Sequence, residues 1–209
     1  MTIPSNAGVS AIGRLRFDTD GTGIRTLIAF AGCPLRCKYC PNPYTWQTPE
    51  RSTLYTPEQL LEKVSVDSIY FKASGGGITF GGGEPLLHSE FISRFIDIAP
   101  KSWNFNIETS LAVPFEKIAP LTDKIQFFTI DIKTLDENIY RSYTEGDLSL
   151  AENNLHKLLG IVESDRITVR VPLIPEYTDT ESQKETVHRL QIMGIKNVDA
   201  FKYQVPKQR

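Results

Sequence analysis

Short apolar runs alternating with helical patterns place the tightest constraint on this chain. Thr26–Ala31, Gly77–Gly81, Asn104–Thr109, Ile125–Ile132, Arg166–Ile174 and Asn197–Gln204 are rich in β-branched or aromatic residues and read as strands. Phe127 through Ile132 is apolar at nearly every position, the pattern of a strand covered on both faces. Helices are predicted between them. Thr56-Pro57-Glu58-Gln59 carries a capping threonine, a proline in the first turn and a capping-box glutamine. Ser149-Leu150-Ala151-Glu152 repeats the box ahead of Leu155, Leu158 and Leu159. His88–Ile98, Pro114–Ala119 and Thr180–Met193 fill the other gaps, with Gly194 placed to end the last, while Ser142–Asp147 reads as loop. About six strand–helix units imply a parallel sheet with right-handed crossovers. They are too few for a closed eight-unit barrel. The fold class is therefore α/β, as an open partial barrel or a doubly wound sheet, with the site at the C-terminal edge of the strands. No linker or repeat divides the chain, which predicts a single domain over residues 1–209.

Charge and hydropathy narrow the partners. Twenty-three basic residues against 25 acidic ones leave a net charge of −2, without the basic excess that nucleic-acid binding uses. No apolar run approaches the roughly 18 residues of a membrane span. The opening MTIPSNAGVSAIGRLRF lacks the basic start and apolar core of a secretory signal. A cytoplasmic protein is expected, with neither nucleic acid nor membrane as partner.

The three cysteines, Cys33, Cys37 and Cys40, are odd in number and crowded into one short segment, which suggests a metal or redox site rather than a disulfide framework. Their Cys-x3-Cys-x2-Cys spacing lets three thiolates converge from a single loop after the first predicted strand. A cubane iron–sulfur cluster normally takes four cysteines. With three, one iron would lack a protein thiolate and be free to hold a ligand. Two alternatives stand beside this. A zinc site could recruit His88, His156 or His188, although these lie in predicted helices without ligand spacing. The thiols could also be inert and buried, against which Arg36 and Lys38 should favour thiolates.

Other polar residues fall at strand ends. Gly82-Gly83-Glu84 allows backbone to approach a ligand closely, or simply turns from strand to helix. Asp131 and Lys133 share one face of their strand and could hold a zwitterionic amino acid, a monovalent cation, or only each other. Arg170 is a charge within an apolar strand and needs a partner, for which a helix glutamate beside an edge strand would serve.

Taken together these residues resemble the radical S-adenosylmethionine (SAM) enzymes, whose cluster loop reads Cys-x3-Cys-x-aromatic-Cys; Tyr39 holds the aromatic place. Asp20-Gly21-Thr22-Gly23-Ile24-Arg25, Pro41-Asn42-Pro43 with Trp46, and Ser74 through Leu87 are similar to segments of the glycyl-radical-enzyme activating subfamily, in order over most of residues 16–204. The resemblance implies an open partial (β/α)6 barrel with parallel strands and one 4Fe–4S cluster on Cys33, Cys37 and Cys40. It also implies SAM oriented by Gly82, Gly83, Lys133 and Arg170, the last at the methionyl carboxylate. Tyr39, Asn42, Glu84, Glu108 and Asp131 match further cofactor-binding positions. The implied activity is reductive cleavage of SAM to a 5′-deoxyadenosyl radical, which takes hydrogen from a glycine of a partner glycyl radical enzyme. A flavodoxin- or ferredoxin-type protein would supply the electron. Ribonucleotide reductase activases and small-molecule or peptide-modifying radical enzymes remain as alternatives. Pro41 stands where many members have histidine, Gly81 replaces a serine, and Gln204 lies in a region where many carry histidine.

Overall fold

Arg25–Phe30 (β2) and the strands after it pair almost in the order in which the chain makes them. The computed structural model describes residues 6–17, 19–46 and 52–205. Beyond β2 the strands are β3 (Thr53–Tyr55), β4 (Gly77–Gly82), β5 (Asn104–Thr109), β6 (Phe127–Asp131), β7 (Ile167–Leu173) and β8 (Asn197–Lys202), with β1 (Ala7–Arg16) ahead of them. The helices are α1 (Pro57–Val64), α2 (Ser68–Ser74), α3 (Ser89–Ile98), α4 (Glu137–Thr144), α5 (Leu148–Leu159) and α6 (Thr180–Ile192). One sheet runs β3-β1-β2-β4-β5-β6-β7-β8 and is not closed. From β2 onward every pairing is parallel, whereas β1 meets both β2 and β3 antiparallel.

This order settles the architecture between the two predicted choices. A doubly wound sheet reverses strand order at a switch point, and here β2-β4-β5-β6-β7-β8 advances in one direction only. Successive right-handed crossovers without reversal stack their helices on one face, as in a barrel. The side chains agree. Ile28, Phe30, Ile78, Phe80, Phe105, Ile107, Phe128, Ile130, Val169 and Val171 all point to one side and are buried in the core. The alternate residues make a polar face: Arg25, Thr79, Asn106, Glu108, Thr129, Asp131 and Arg170. β6 is thus apolar on one face only; Phe127 is 45% exposed at its start, contrary to the two-sided burial its composition suggests.

Local signals account for most element ends. Thr56 and Gln59 form the predicted capping box of α1. Gly194 adopts φ +96 just past α6. Other expectations need correction. β1 and β3 escape a search for β-branched runs, since AGVSAIGRLR scatters single apolar residues among small ones and ends on two arginines, and β3 has only three residues. Pro114–Ala119 yields 3-10 turns at Phe115–Lys117 and Ala119–Leu121, because Pro120 cannot donate to a continuing helix. His88 closes a 3-10 turn rather than opening α3. Ser142 through Thr144 are the last turn of α4, not loop. Asp147 caps α5 by accepting from Ser149 N at 2.9 Å, so Ser149 lies inside the helix rather than at its cap.

At the N-terminal end of the polar face, residues 19–24 ahead of β2 fold inward. The Asp20 carbonyl accepts from Thr79 Oγ1 and Asn106 Nδ2, each at 3.0 Å, and the Asp20 carboxylate pairs with Arg16. No helix among the described residues is long and apolar enough to cross a membrane.

Candidate active site

The C-terminal ends of the strands surround a cavity of about 310 Å³. Eleven of the twelve predicted site residues line it: Cys33, Cys37 and Cys40; Tyr39 and Asn42; Gly82 and Gly83; Glu108, Asp131, Lys133 and Arg170. Glu84 does not. Its carboxylate is buried behind the wall, accepting from Thr109 Oγ1 at 2.7 Å and Ser110 N at 2.9 Å.

The cysteine loop leaves β2 and is held from two sides. Gly32 N donates to Thr45 O at 2.7 Å, and Asn42 N lies 3.4 Å from Cys40 Sγ. On the other side, Arg36 N and Lys38 N donate to the carbonyls of Thr144 and Tyr143 at the end of α4. Lys38 pairs with Glu145 at 2.6 Å, and a Cβ on Gly146 would collide with Leu35. The helix that sequence reasoning missed is therefore the buttress of the cysteine loop. Tyr39 packs edge-on against Tyr143 and Tyr177, and its hydroxyl donates to Glu176 at 2.8 Å. Its carbonyl accepts from Tyr203 Oη at 2.6 Å.

Burial dominates the thiols. Cys33 is pushed up to about 12, and Cys37 and Cys40 are raised for the same reason, with Lys133 pulling both back. The expectation that Arg36 and Lys38 would favour thiolates fails. Arg36 donates to the Cys33 and Leu35 carbonyls and covers Trp46, while Lys38 faces Glu145. Metal ligation of such thiols displaces their protons. Three sulfurs on one loop, partly shielded and beside a cation, suit a cluster that needs thiolate donors and little water. Among the described residues no three His, Cys, Asp or Glu side chains lie close enough to share a single metal ion. His88, one of the histidines a zinc site could recruit, bonds instead to the Ala31 carbonyl at 2.8 Å.

Opposite the cysteines, strand register assembles a charged group. Asp131 and Arg170 are in register on β6 and β7, and Glu108 on β5 faces the same way. Arg170 grips Asp131 with Nε–Oδ1 2.9 Å and Nη2–Oδ2 3.2 Å, and reaches Glu108 at 3.3 Å. Lys133 Nζ lies 3.6 Å from Asp131 Oδ2, as their shared face predicts. Arg170 is thus on an interior strand with strand carboxylates as partners, rather than on an edge strand beside a helix glutamate. Burial disfavours the ionised Asp131, but Lys133 and Arg170 outweigh it and hold the carboxyl below its usual range. Burial also acts on Glu108, and there it prevails over Arg170, so that carboxyl is raised.

Sequence reasoning passed over Thr109, Ser110, Tyr143, Phe201 and Tyr203, which also line the cavity. Thr109 and Ser110 follow Glu108 at a strand end, a signal that was available. Tyr143 and Tyr203 carry no such signal, since their positions follow from packing.

Comparison with known proteins agrees with this arrangement. The family model described as the radical SAM superfamily matches residues 27–190. The pyruvate formate-lyase-activating enzyme of Clostridium pasteurianum is 36% identical over 86% of this chain and 74% of its own length. Its namesake in Staphylococcus aureus (strain USA300) is 30% identical over 87% of this chain and 74% of its own. Streptococcus suis SuiB, solved bound to S-adenosylmethionine, matches with a TM-score of 0.64 at 13% identity, over 84% of this chain and 39% of SuiB, a likeness of fold. Cysteine loop, sheet order and sequence likeness converge: the chain belongs to the radical SAM superfamily.

Proposed function

We propose that this chain activates a glycyl radical enzyme, using one 4Fe–4S cluster on Cys33, Cys37 and Cys40 and SAM bound in the adjoining cavity. The observation that carries the reading is the convergence of three thiols and four charged strand-end side chains on one cavity, in a chain with no fourth cysteine. Such a cluster supplies an electron and an open iron for breaking the sulfonium C–S bond of SAM, giving methionine and a 5′-deoxyadenosyl radical.

The chain's own residues do the remaining work. Gly82, at φ +99, and Gly83 border the cavity with main chain alone, and neither has room for a Cβ, which would strike Ala29 and Phe30 of β2 from the first and the Gly32 carbonyl from the second. Their bare main chain suits the methionyl amino group. Arg170 and Lys133 present cationic charge to the methionyl carboxylate, and Asp131 and Glu108 keep that charge in place. A monovalent cation at this position would share those two carboxylates with Arg170. Tyr39, Tyr143 and Tyr203 wall the cavity beside the cysteines and exclude water, which protects a reactive radical from side reactions. Asn42 holds the loop beyond Cys40 through its backbone. The proposed partners are a glycyl radical enzyme as protein substrate and a flavodoxin- or ferredoxin-type donor.

Electron paramagnetic resonance tests this directly. Anaerobically reconstituted and reduced protein, mixed with SAM and a candidate glycyl radical enzyme encoded nearby, should produce a glycyl-radical signal on the partner. Cleavage of SAM without any such signal, but with modification of a peptide or small molecule, would move the chain to another branch of the family.

A further inference from the structure

Behind the cavity wall three strand ends are tied together by one glutamate, through its carboxylate and its backbone N–H. Glu84 ends the β4 turn and is 1% exposed. Its Oε1 accepts from Thr109 Oγ1 at 2.7 Å and from Leu86 N at 3.2 Å. Its Oε2 accepts from Ser110 N at 2.9 Å and Ser110 Oγ at 2.6 Å. The Glu84 N–H donates to the Gly32 carbonyl at 2.8 Å, and Gly32 directly precedes Cys33. One residue thereby links the end of β2, the turn after β4 and the end of β5. A buried carboxylate is tolerated when its lone pairs are filled in this way.

The β5 side of this knot is held in a conformation that leucine rarely adopts. Leu111 is fully buried with φ +57. Its N–H donates to Thr109 Oγ1 at 2.9 Å, the same hydroxyl that serves Glu84. Its carbonyl accepts from Asn154 Nδ2 at 2.9 Å, and the Val113 carbonyl accepts from the same amide at 2.7 Å. Asn154 lies on α5, is 1% exposed and does not line the cavity. Without these bonds two buried carbonyls lose their partner, and only the Leu111 N–H still ties the left-handed turn to Thr109.

We infer that Asn154 is a positioning residue. Acting through Leu111, Ser110 and Glu84, it sets the height of the cavity-lining Ser110 and Gly83 and of the backbone entering Cys33. The inference deepens the reading of the cavity as a SAM site and rests on it only for the binding arm of the test.

Hydrogen exchange on cluster-free protein is the first arm. Asn154→Ala should speed exchange at least tenfold at Leu111 and, at a distance, at Ser110, Glu84 and Leu86, leaving the Val169 amide in β7 unchanged. Ser110→Ala should reproduce the effect at Glu84 and Leu86, and the double variant should add little to it. Acceleration confined to residues 111–113 would overturn the proposal. If Asn154→Ala does not fold, Asn154→Ser and Ser110→Ala decide by the same amides. In the second arm, on reconstituted protein, SAM is titrated against the paramagnetic spectrum of the reduced cluster. The Asn154 variant should bind SAM at least tenfold more weakly at the parent's iron content; equal affinity would overturn the inference. A parent that binds no SAM defeats the proposed function instead, and the exchange arm then decides the positioning role alone.

Discussion

The two ends of the sheet's polar face both place charge inside the protein, and they treat it oppositely. At the N-terminal end the chain fills its own space. Arg25, 1% exposed, donates to Thr79 Oγ1 at 2.7 Å and to the Ile78 carbonyl at 2.6 Å. Burial draws its guanidinium down to about 10, outweighing the opposing pull of the Asp20 carboxylate. Gly21, at φ +116, packs so closely that a Cβ would collide with the Asn106 amide. At the C-terminal end, Glu108, Asp131, Lys133 and Arg170 are paired among themselves yet still border open volume beside three thiols. One end closes a structure and the other keeps room for a guest. Damage at the closed end should therefore appear in stability, and damage at the open end first in what the protein binds and only to a lesser extent in stability.

The sharpest break in that contrast comes from Cys37→Ala, which removes a donor without disturbing the core. Iron and sulfide analysis after anaerobic reconstitution should fall from about four irons per chain, a cubane's complement, to nearly none. Retained iron would contradict the ligand assignment. Gly21→Ala at the closed end should do the reverse. Strain at positive φ together with overpacking should cost about 2–4 kcal/mol in denaturant melts, while the iron content of the folded fraction stays that of the parent.

A smaller effect follows from the ion pairs of Asp131. Its folded carboxyl titrates below the ordinary aspartate range, so its stabilisation is complete above that range and is lost as pH falls through the depressed folded value. Asp131→Asn should cost about 1–3 kcal/mol near neutrality. The gap to the parent should close in acid, below about pH 4. A pH-independent gap would mean that packing, not charge, holds Asp131. Smallest of all is Lys38→Ala. Its pair with Glu145 is about half exposed on both sides, and solvent screening leaves such pairs little weight. A larger loss in thermal melts would show that this contact, rather than the α4 carbonyls, secures the cysteine loop.

The parts of the site carried by short-range patterns were legible in the sequence. Cys33, Cys37 and Cys40 converge because their spacing lets them, and Asp131 and Lys133 share a face because strand side chains alternate. What stayed hidden depends on partners distant in the chain. Glu84 follows two cavity glycines, yet its side chain turns away because Thr109 and Ser110 supply donors behind the wall. Arg170 finds Asp131 through β6–β7 register, which no local pattern encodes. β1 is invisible for a related reason: its scattered small and apolar residues make a strand only once β2 lies beside it. The same holds for α4, a polar helix whose importance lies in the two carbonyls it offers to the cysteine loop.

The central claim, a cluster held by three thiols with SAM at its open iron, is tested most directly by product analysis. Reduced, reconstituted protein incubated with SAM in the absence of air should release 5′-deoxyadenosine and methionine in equal amounts, and the Cys37→Ala variant should release neither. SAM recovered intact from fully loaded, fully reduced protein would contradict the account.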